Sequence, residues 1–312
     1  SRSQSVPHEE KVHTLPIPAK SKRSISSIGG THTITLDRVR RHSRQSSKIF
    51  VVNNIPLVLL PAAQLKLAKT EKKVIGSGMV FLARHGERED HVNPKWYLNA
   101  PNVFDPPLSN KGLRQAAELG ERLRSENITH IFASPFTRTI QTAIEVAKKL
   151  NLMINIDRGL AEHMETKHFQ VTCARLQLDP NTFKVQVNTH EELIKRYPKY
   201  ISPETEFKDL KLNKWPALFP EEEEELFERT NNTVKHLGIY AFNKKANILL
   251  VSHQTPVEYM AFELSSEAED KFVSVCCLTK VAPRKNDPKK KGWKLIFQHD
   301  DSFLSEPECG KR

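Results

Sequence analysis

The sequence predicts an α/β fold in which a mostly parallel central sheet is flanked by helices. Three observations carry that prediction. The apolar run Met79–Ala83 is continuous rather than alternating, as a strand buried on both faces requires, and Ala246–Ser252 reads as another buried strand. Segments with apolar residues at helical spacing lie between the runs. The runs also end abruptly in polar or charged residues, and in open α/β sheets ligands bind beyond the carboxyl ends of the strands.

Taken in order, the chain opens with residues 1–47, rich in Ser, His, Arg and Lys and without periodicity. They are expected to form a disordered basic N-terminal tail. Of the net charge of +11, residues 1–48 contribute ten Lys/Arg against three Asp/Glu, about +7, so the remainder is only mildly basic. Arg40-Arg41-His42-Ser43 and Lys22-Arg23-Ser24 have the pattern of sites for base-directed kinases. No aromatic residues interleave the basic ones, which argues against specific nucleic-acid binding. Residues 48–77 are expected to be an arm or linker packing on the domain, with Ile49 to Leu60 supplying a strand or that arm.

The domain itself is expected over residues 78–303, with a short C-terminal tail at 304–312. Met79–Ala83 reads as its first strand. The prolines that follow (Pro94, Pro101, Pro106, Pro107) exclude a helix interior, and Trp96 and Tyr97 are candidates for a pocket wall or for packing on the core. Ser109 is a plausible N-cap for a helix carrying Leu113, Ala116, Ala117, Gly120 and Leu123. Thr129–Ala133 is a second strand. Pro135 suits the first turn of the next helix, whose stripe is Ile140, Ala143, Ile144, Ala147 and Leu150. Met153–Ile156 makes a third strand.

Residues 163–220 lose periodicity and are expected to be an insert near the ligand site that contributes to substrate selection. Glu221 to Tyr240 reads as a helix with an acidic first turn and an apolar face of Leu226, Phe227, Thr230, Val234 and Leu237. Lys271–Val281 and Gly292–Gln298 are expected as late strands joined by a basic turn at Arg284–Lys289.

Four cysteines occur, Cys173, Cys276, Cys277 and Cys309, with no CxxC pair. That is neither a zinc pattern nor a disulfide framework, and it predicts a reducing, cytoplasmic setting. No apolar run approaches the roughly 20 residues of a transmembrane segment. Because the chain starts at Ser1, the lack of a signal sequence says little about location.

The strand ends supply a constellation. The first gives Arg84, His85 and Arg88, the second Arg138, the third Glu162, and a later one His253. Three arginines, two histidines and a glutamate fit a pocket for a phosphoryl group. In such a pocket a neutral imidazole attacks phosphorus, guanidinium groups hold the equatorial oxygens, and a carboxyl group protonates the leaving oxygen and then activates water. The positive charge comes from side chains, so neither a metal nor a cofactor is called for.

At this point the sequence resembles the histidine phosphatase superfamily, also called phosphoglycerate-mutase-like. Arg84-His85-Gly86-Glu87-Arg88 is its signature, and four further segments follow in the family's order. They are Pro107-Leu108 through Ala116, Ser134-Pro135 through Ala143, Leu160-Ala161-Glu162 and Val251-Ser252-His253. The style of the signature and of the insert is similar to the branch holding the suppressor-of-T-cell-receptor-signalling phosphatases and ecdysteroid-phosphate phosphatase.

The resemblance implies His85 as nucleophile, with Arg84, Arg88 and Arg138 as phosphate ligands. It implies Glu162 as proton donor and His253 as the second pocket histidine. The expected activity is metal-independent hydrolysis of a phosphomonoester, protein or small molecule, through a phosphohistidine. Dimers occur in the family, which allows a homodimer. Gln254 stands where the family usually has a small residue. With the basic tail, it motivates an alternative, a pseudophosphatase that binds phosphorylated partners. A phosphate-moving mutase is the third reading.

Overall fold

The structure is a computed structural model that describes residues 49–52, 55–58, 77–165, 174, 185, 187–203, 219–284 and 292–307. The tail, its kinase-type motifs, Cys173, Cys309, most of the expected insert and residues 285–291 of the basic turn lie outside the described residues. The chain divides after Glu71 into two units. In the first, β1 (Ile49–Val52) and β2 (Ile55–Val58) pair antiparallel, with Ile49 opposite Val58. Two short strands thus stand in the stretch Ile49 to Leu60, read from the sequence as a strand or an arm.

The second unit is built on a six-stranded sheet. Its strands are β3 (Val80–Arg84), β4 (His130–Ala133), β5 (Ile154–Ile156), β6 (Ile248–Ser252), β7 (Leu278–Pro283) and β8 (Trp293–Asp300). Their order across the sheet is β5-β4-β6-β3-β7-β8. The β5, β4, β6 and β3 strands run parallel, and β7 and β8 add an antiparallel edge. The mostly parallel sheet read from the sequence is present.

Six α-helices occur among the described residues: α1 (Glu89–Val92), α2 (Asn110–Arg122), α3 (Thr137–Leu150), α4 (His190–Arg196), α5 (Glu223–Lys244) and α6 (Gln254–Leu264), with short 3-10 turns at Trp96–Leu98, Leu123–Ser125 and Arg158–Leu160. The short α1 and the Trp96–Leu98 turn sit in the stretch where prolines excluded a long helix. Trp96 and Tyr97 are partly exposed there.

The strand residues sort by parity, as the pleat requires. Phe81, Ala83, Ile131, Ala133, Leu249 and Val251 face one core with residues of α2 and α3. Val80, Leu82, Phe132, Ile248 and Leu250 face the other with residues of α5 and α6. Each such buried aliphatic or aromatic side chain contributes roughly 1.5–3 kcal/mol. Burial on both faces is why the apolar runs are continuous. The chain stays on this core past residue 303, because Leu304 is buried and Ser305 N–H donates to Glu118.

Three sequence expectations change. Phe227, assigned to the apolar face of α5, is half-exposed, and its ring meets Tyr259 edge-on at 5.6 Å. The helix starts at Glu223, because Glu222 is the N-cap and Glu221 is buried in an ion pair. The strand expected over Lys271–Val281 begins only at Leu278. Its first half is a loop that buries Val273, Val275, Cys276 and Cys277, and buried loops and buried strands share an apolar composition.

Candidate active site

Register places the site. In the parallel ladder Arg84 lies opposite Ser252 and Ala83 opposite Val251, while Ala133 pairs with Val251 from the other side. The next residue of each strand is thus brought into one row: His85, His253 and Ser134. The His85 and His253 rings are 5.3 Å apart, centre to centre, and Ser134 Oγ is 2.8 Å from His253 Nε2.

His85 is held at both backbone groups. Its N–H donates to Ser252 O (3.0 Å), and its carbonyl accepts from Cys276 N–H (3.2 Å). Its ring Nδ1 lies 2.7 Å from the Gly86 carbonyl. A carbonyl can only accept, so Nδ1 carries the proton and Nε2 of the neutral ring keeps its lone pair. Burial, with Arg138 and Arg84 beside it, holds the His85 pKa well below the ordinary histidine value. The ring is neutral at pH 7.

The loop after β3 is pinned by the segments that carry the other motifs. Glu87 N–H donates to Gln115 Oε1 (2.9 Å), Leu108 N–H to Gln141 Oε1 (2.7 Å) and Gly86 N–H to Thr142 Oγ1 (3.1 Å). Ser109 caps α2 by accepting from Gly112 N–H, and its hydroxyl donates to Glu87 Oε1. Gly86 and Gly112 pack backbone to backbone: a Cβ on Gly112 would lie 2.1 Å from Glu87 O, and one on Gly86 2.6 Å from Gly112 O.

Arg138 is fully buried on the first turn of α3. Pro135 stands before that helix rather than in it, and Phe136 is the N-cap residue. The free N-terminal donors are met from afar. Asp105 accepts from Thr137 N–H at Oδ1 (2.8 Å) and from Thr137 Oγ1 at Oδ2 (2.5 Å), where Asn188 Nδ2 also donates (2.9 Å). Arg138 lies between two carboxylates, Glu162 at 3.3 Å and Asp105 at 3.8 Å, and over the Phe136 ring at 4.6 Å. Burial, then the Arg88 charge, pushes its pKa down to about 10, so it remains a cation at neutral pH.

Glu162 faces both Arg138 and His253, whose Nδ1 is 3.3 Å from Glu162 Oε2. Its backbone is fixed by a buried arginine. Arg229 donates to both oxygens of Glu221 (2.7 Å each) and to the carbonyls of Gly159 (2.9 Å), Ala161 (3.0 Å) and Glu162 (3.2 Å). Asp157, at the end of β5, caps the turn before Glu162 by accepting from Gly159 N–H, and burial raises its pKa to about 7.

The two remaining arginines are at the edge. Arg84 donates to Val273 O (2.7 Å), and its guanidinium is 5.9 Å from the Phe272 ring. Arg88 is engaged side-on by Asp90, Nε to Oδ1 at 2.9 Å and Nη2 to Oδ2 at 2.5 Å. Both charges act on His85. His85, Glu162, His253 and Arg138 are therefore in mutual reach, with Arg84 and Arg88 flanking them. Gln254 is the first residue of α6, partly exposed.

His85, Glu162 and His253 each bring one ligand atom within 4.8 Å of the others, a spacing that a divalent cation accepts. Three guanidinium groups around the trio oppose that use and favour an anion. An ester phosphate would find fixed positive charge, an imidazole lone pair and a carboxyl group together.

Asp105, Ser134, Gln115, Gln141, Thr142, Asp157 and Arg229 were not singled out from the sequence as site residues. Four of them lie inside the motif segments, so the motifs held the signal. Asp105, in a proline-rich loop, and Arg229, inside a helix, had none, because their partners are distant in sequence.

Residues 80–183 match the family model of the histidine phosphatase superfamily (branch 1). Over 83 residues the chain is 39% identical to the probable phosphoglycerate mutase GpmB of Proteus mirabilis, an overlap of 27% of this chain and 37% of that one. The figures are the same for its counterpart in Salmonella choleraesuis. The chain thus spans little more than a third of the length of the curated relatives it matches. The ecdysone phosphate phosphatase from Bombix mori, solved in complex with tungstate, shares the fold: TM-score 0.53 at 19% identity, covering 70% of this chain and 92% of that one. The stretch that matches the histidine phosphatase superfamily model, residues 80–183, holds Arg84, His85, Arg88, Arg138 and Glu162.

Proposed function

We propose that the chain hydrolyses a phosphomonoester through a phosphohistidine formed on His85, without a metal. One observation carries the reading. The hydrogen bond from His85 Nδ1 to the Gly86 carbonyl leaves Nε2 as a lone pair in a buried cluster with Glu162, His253 and Arg138. Attack by Nε2 on phosphorus breaks the ester bond, and Glu162 gives its proton to the leaving oxygen. Glu162, then a carboxylate, takes a proton from water, which attacks phosphorus and frees His85. Arg138, Arg84 and Arg88 offset the charge on the equatorial oxygens, and His253, hydrogen-bonded to Ser134, adds a donor. The four cysteines, which include no CxxC pair, support a reducing, cytoplasmic setting. Among the described residues no helix is long and apolar enough to cross a membrane.

The test is turnover of an aryl phosphate by wild type and His85→Ala across pH 4–8, with EDTA present. Wild-type turnover that the variant lacks, and an acid-labile phosphoryl group trapped on wild type, are the expected results. An inactive wild type sinks the reading. The likeness to probable phosphoglycerate mutases favours one second reading, in which the same phosphohistidine passes its phosphoryl group to another hydroxyl rather than to water. Isomerised phosphoglycerate would identify it.

A further inference from the structure

We propose that Asp90 is the positioning residue for Arg88, fixing the guanidinium side-on so that its remaining N–H groups meet the phosphoryl oxygens. The proposal rests on the reading of this site as a phosphate pocket. The backbone on which both residues sit is pinned: Glu89 N–H donates to Pro107 O (2.9 Å), and Arg88 bridges to Leu108. Between them α1 begins, so the carboxylate comes from the same short turn as the arginine. The pairing is two-pronged and uses the Nε and Nη2 edge of the fork, at 2.9 and 2.5 Å. That leaves Nη1 and the second Nη2 proton for another acceptor.

Both side chains are largely covered, Arg88 at 15% and Asp90 at 27% exposure, so the pair is shielded compared with an open surface bridge. The arrangement also answers an electrostatic problem. Arg88 and Arg138 act on one another across the pocket, and Arg88, Arg84 and Arg138 all act on His85. A carboxylate held against the Nε and Nη2 edge of Arg88 offsets part of that repulsion. Arg138 has Asp105 as a counter-charge in the same way. Side-on engagement also separates a positioning carboxylate from a competitor, which would take the end of the fork.

The experiment is a double-mutant cycle on wild type, Asp90→Ala, Arg88→Ala and the double variant. It is read as orthovanadate affinity by calorimetry and as orthovanadate inhibition of aryl phosphate turnover. Asp90→Ala is expected to weaken orthovanadate about ten-fold when Arg88 is present and less than about two-fold when it is absent. Asp90→Asn, which can still accept from Nε, should recover part of the loss. Equal losses in both backgrounds would mean that Asp90 acts elsewhere, and tighter orthovanadate binding in Asp90→Ala would make it a competitor; either overturns the proposal. Coupled orthovanadate binding in a protein without turnover would retire the phosphatase reading and leave Asp90 in place. A wild type that does not bind orthovanadate overturns both.

Discussion

Replacing Arg229 with Leu should unfold this domain at a much lower temperature. Its guanidinium makes five hydrogen bonds with no exposure to water, two to Glu221 and three to the carbonyls of Gly159, Ala161 and Glu162. Leucine matches part of the volume but none of the donors. Among the described residues Glu221 would keep the Met164 N–H, and its charge would stay buried. Breaking a buried pair from one side costs about 3–5 kcal/mol. Each orphaned carbonyl would add roughly 1–3 kcal/mol if water failed to reach it. Taking about 4–5 kcal/mol in all, and about 2–4 °C per kcal/mol for a domain of this size, the midpoint should fall by roughly 8–20 °C. Thermal melts and urea titrations measure this. Arg229→Leu/Glu221→Leu should be more stable than Arg229→Leu, because the stranded charge is gone. Turnover should also fall in the single variant, since Arg229 holds the Glu162 backbone. A loss below about 1 kcal/mol, or a double variant no better than the single, would refute the reasoning.

Four further outcomes are expected. Burial raises Asp157 to about 7, so the folded state holds a proton that the unfolded chain releases above its ordinary value of 3.8. Stability from this group is therefore full below about pH 4 and lost as pH rises towards 7; Asp157→Asn should gain on wild type across that window in urea midpoints, and parallel curves would speak against it. His85 is held below the ordinary histidine value, so the acid limb of kcat/KM should fall below pH 6.5, and a limb above it would contradict the neutral-ring assignment. Ser134→Ala should lower kcat/KM about ten-fold with little change in melting temperature, because it frees the Nε2 of a buried imidazole. Gly112→Ala should cost at least about 3 kcal/mol, since its Cβ would fall 2.1 Å from Glu87 O and backbone would have to move; a melting temperature near wild type would show that the loop yields.

The sheet was legible because burial on both faces writes itself into composition: β3 and β6 are unbroken apolar runs. The candidate site was legible because parallel strands deliver their last residues to one edge, so Arg84, His85, Arg138, Glu162 and His253 could be collected from strand ends. Their supports were hidden for a physical reason. Asp105 caps a helix 32 residues away, and Arg229 reaches back 67 residues to Glu162, whereas periodicity reports only neighbours within a turn or two. Phe227 failed for the same reason. Its spacing on α5 is right, but among the described residues Tyr259 covers its ring only in part. Arg88 was read as a bare phosphate ligand because a carboxylate two residues on looks, in sequence, like any charged loop.

The row formed by His85, His253 and Ser134 also bears on how the domain comes apart. Three neighbouring strands each supply one member, and Glu162 follows a fourth. No fragment that has lost one of those strands can present the full set, so an anion held there reports on the whole parallel half of the sheet. Orthovanadate at a hundred times its dissociation constant would add about 2.7 kcal/mol to that unit. In amide hydrogen exchange the added protection would spread over β3, β4, β5 and β6 together, making the pocket a clasp across the sheet.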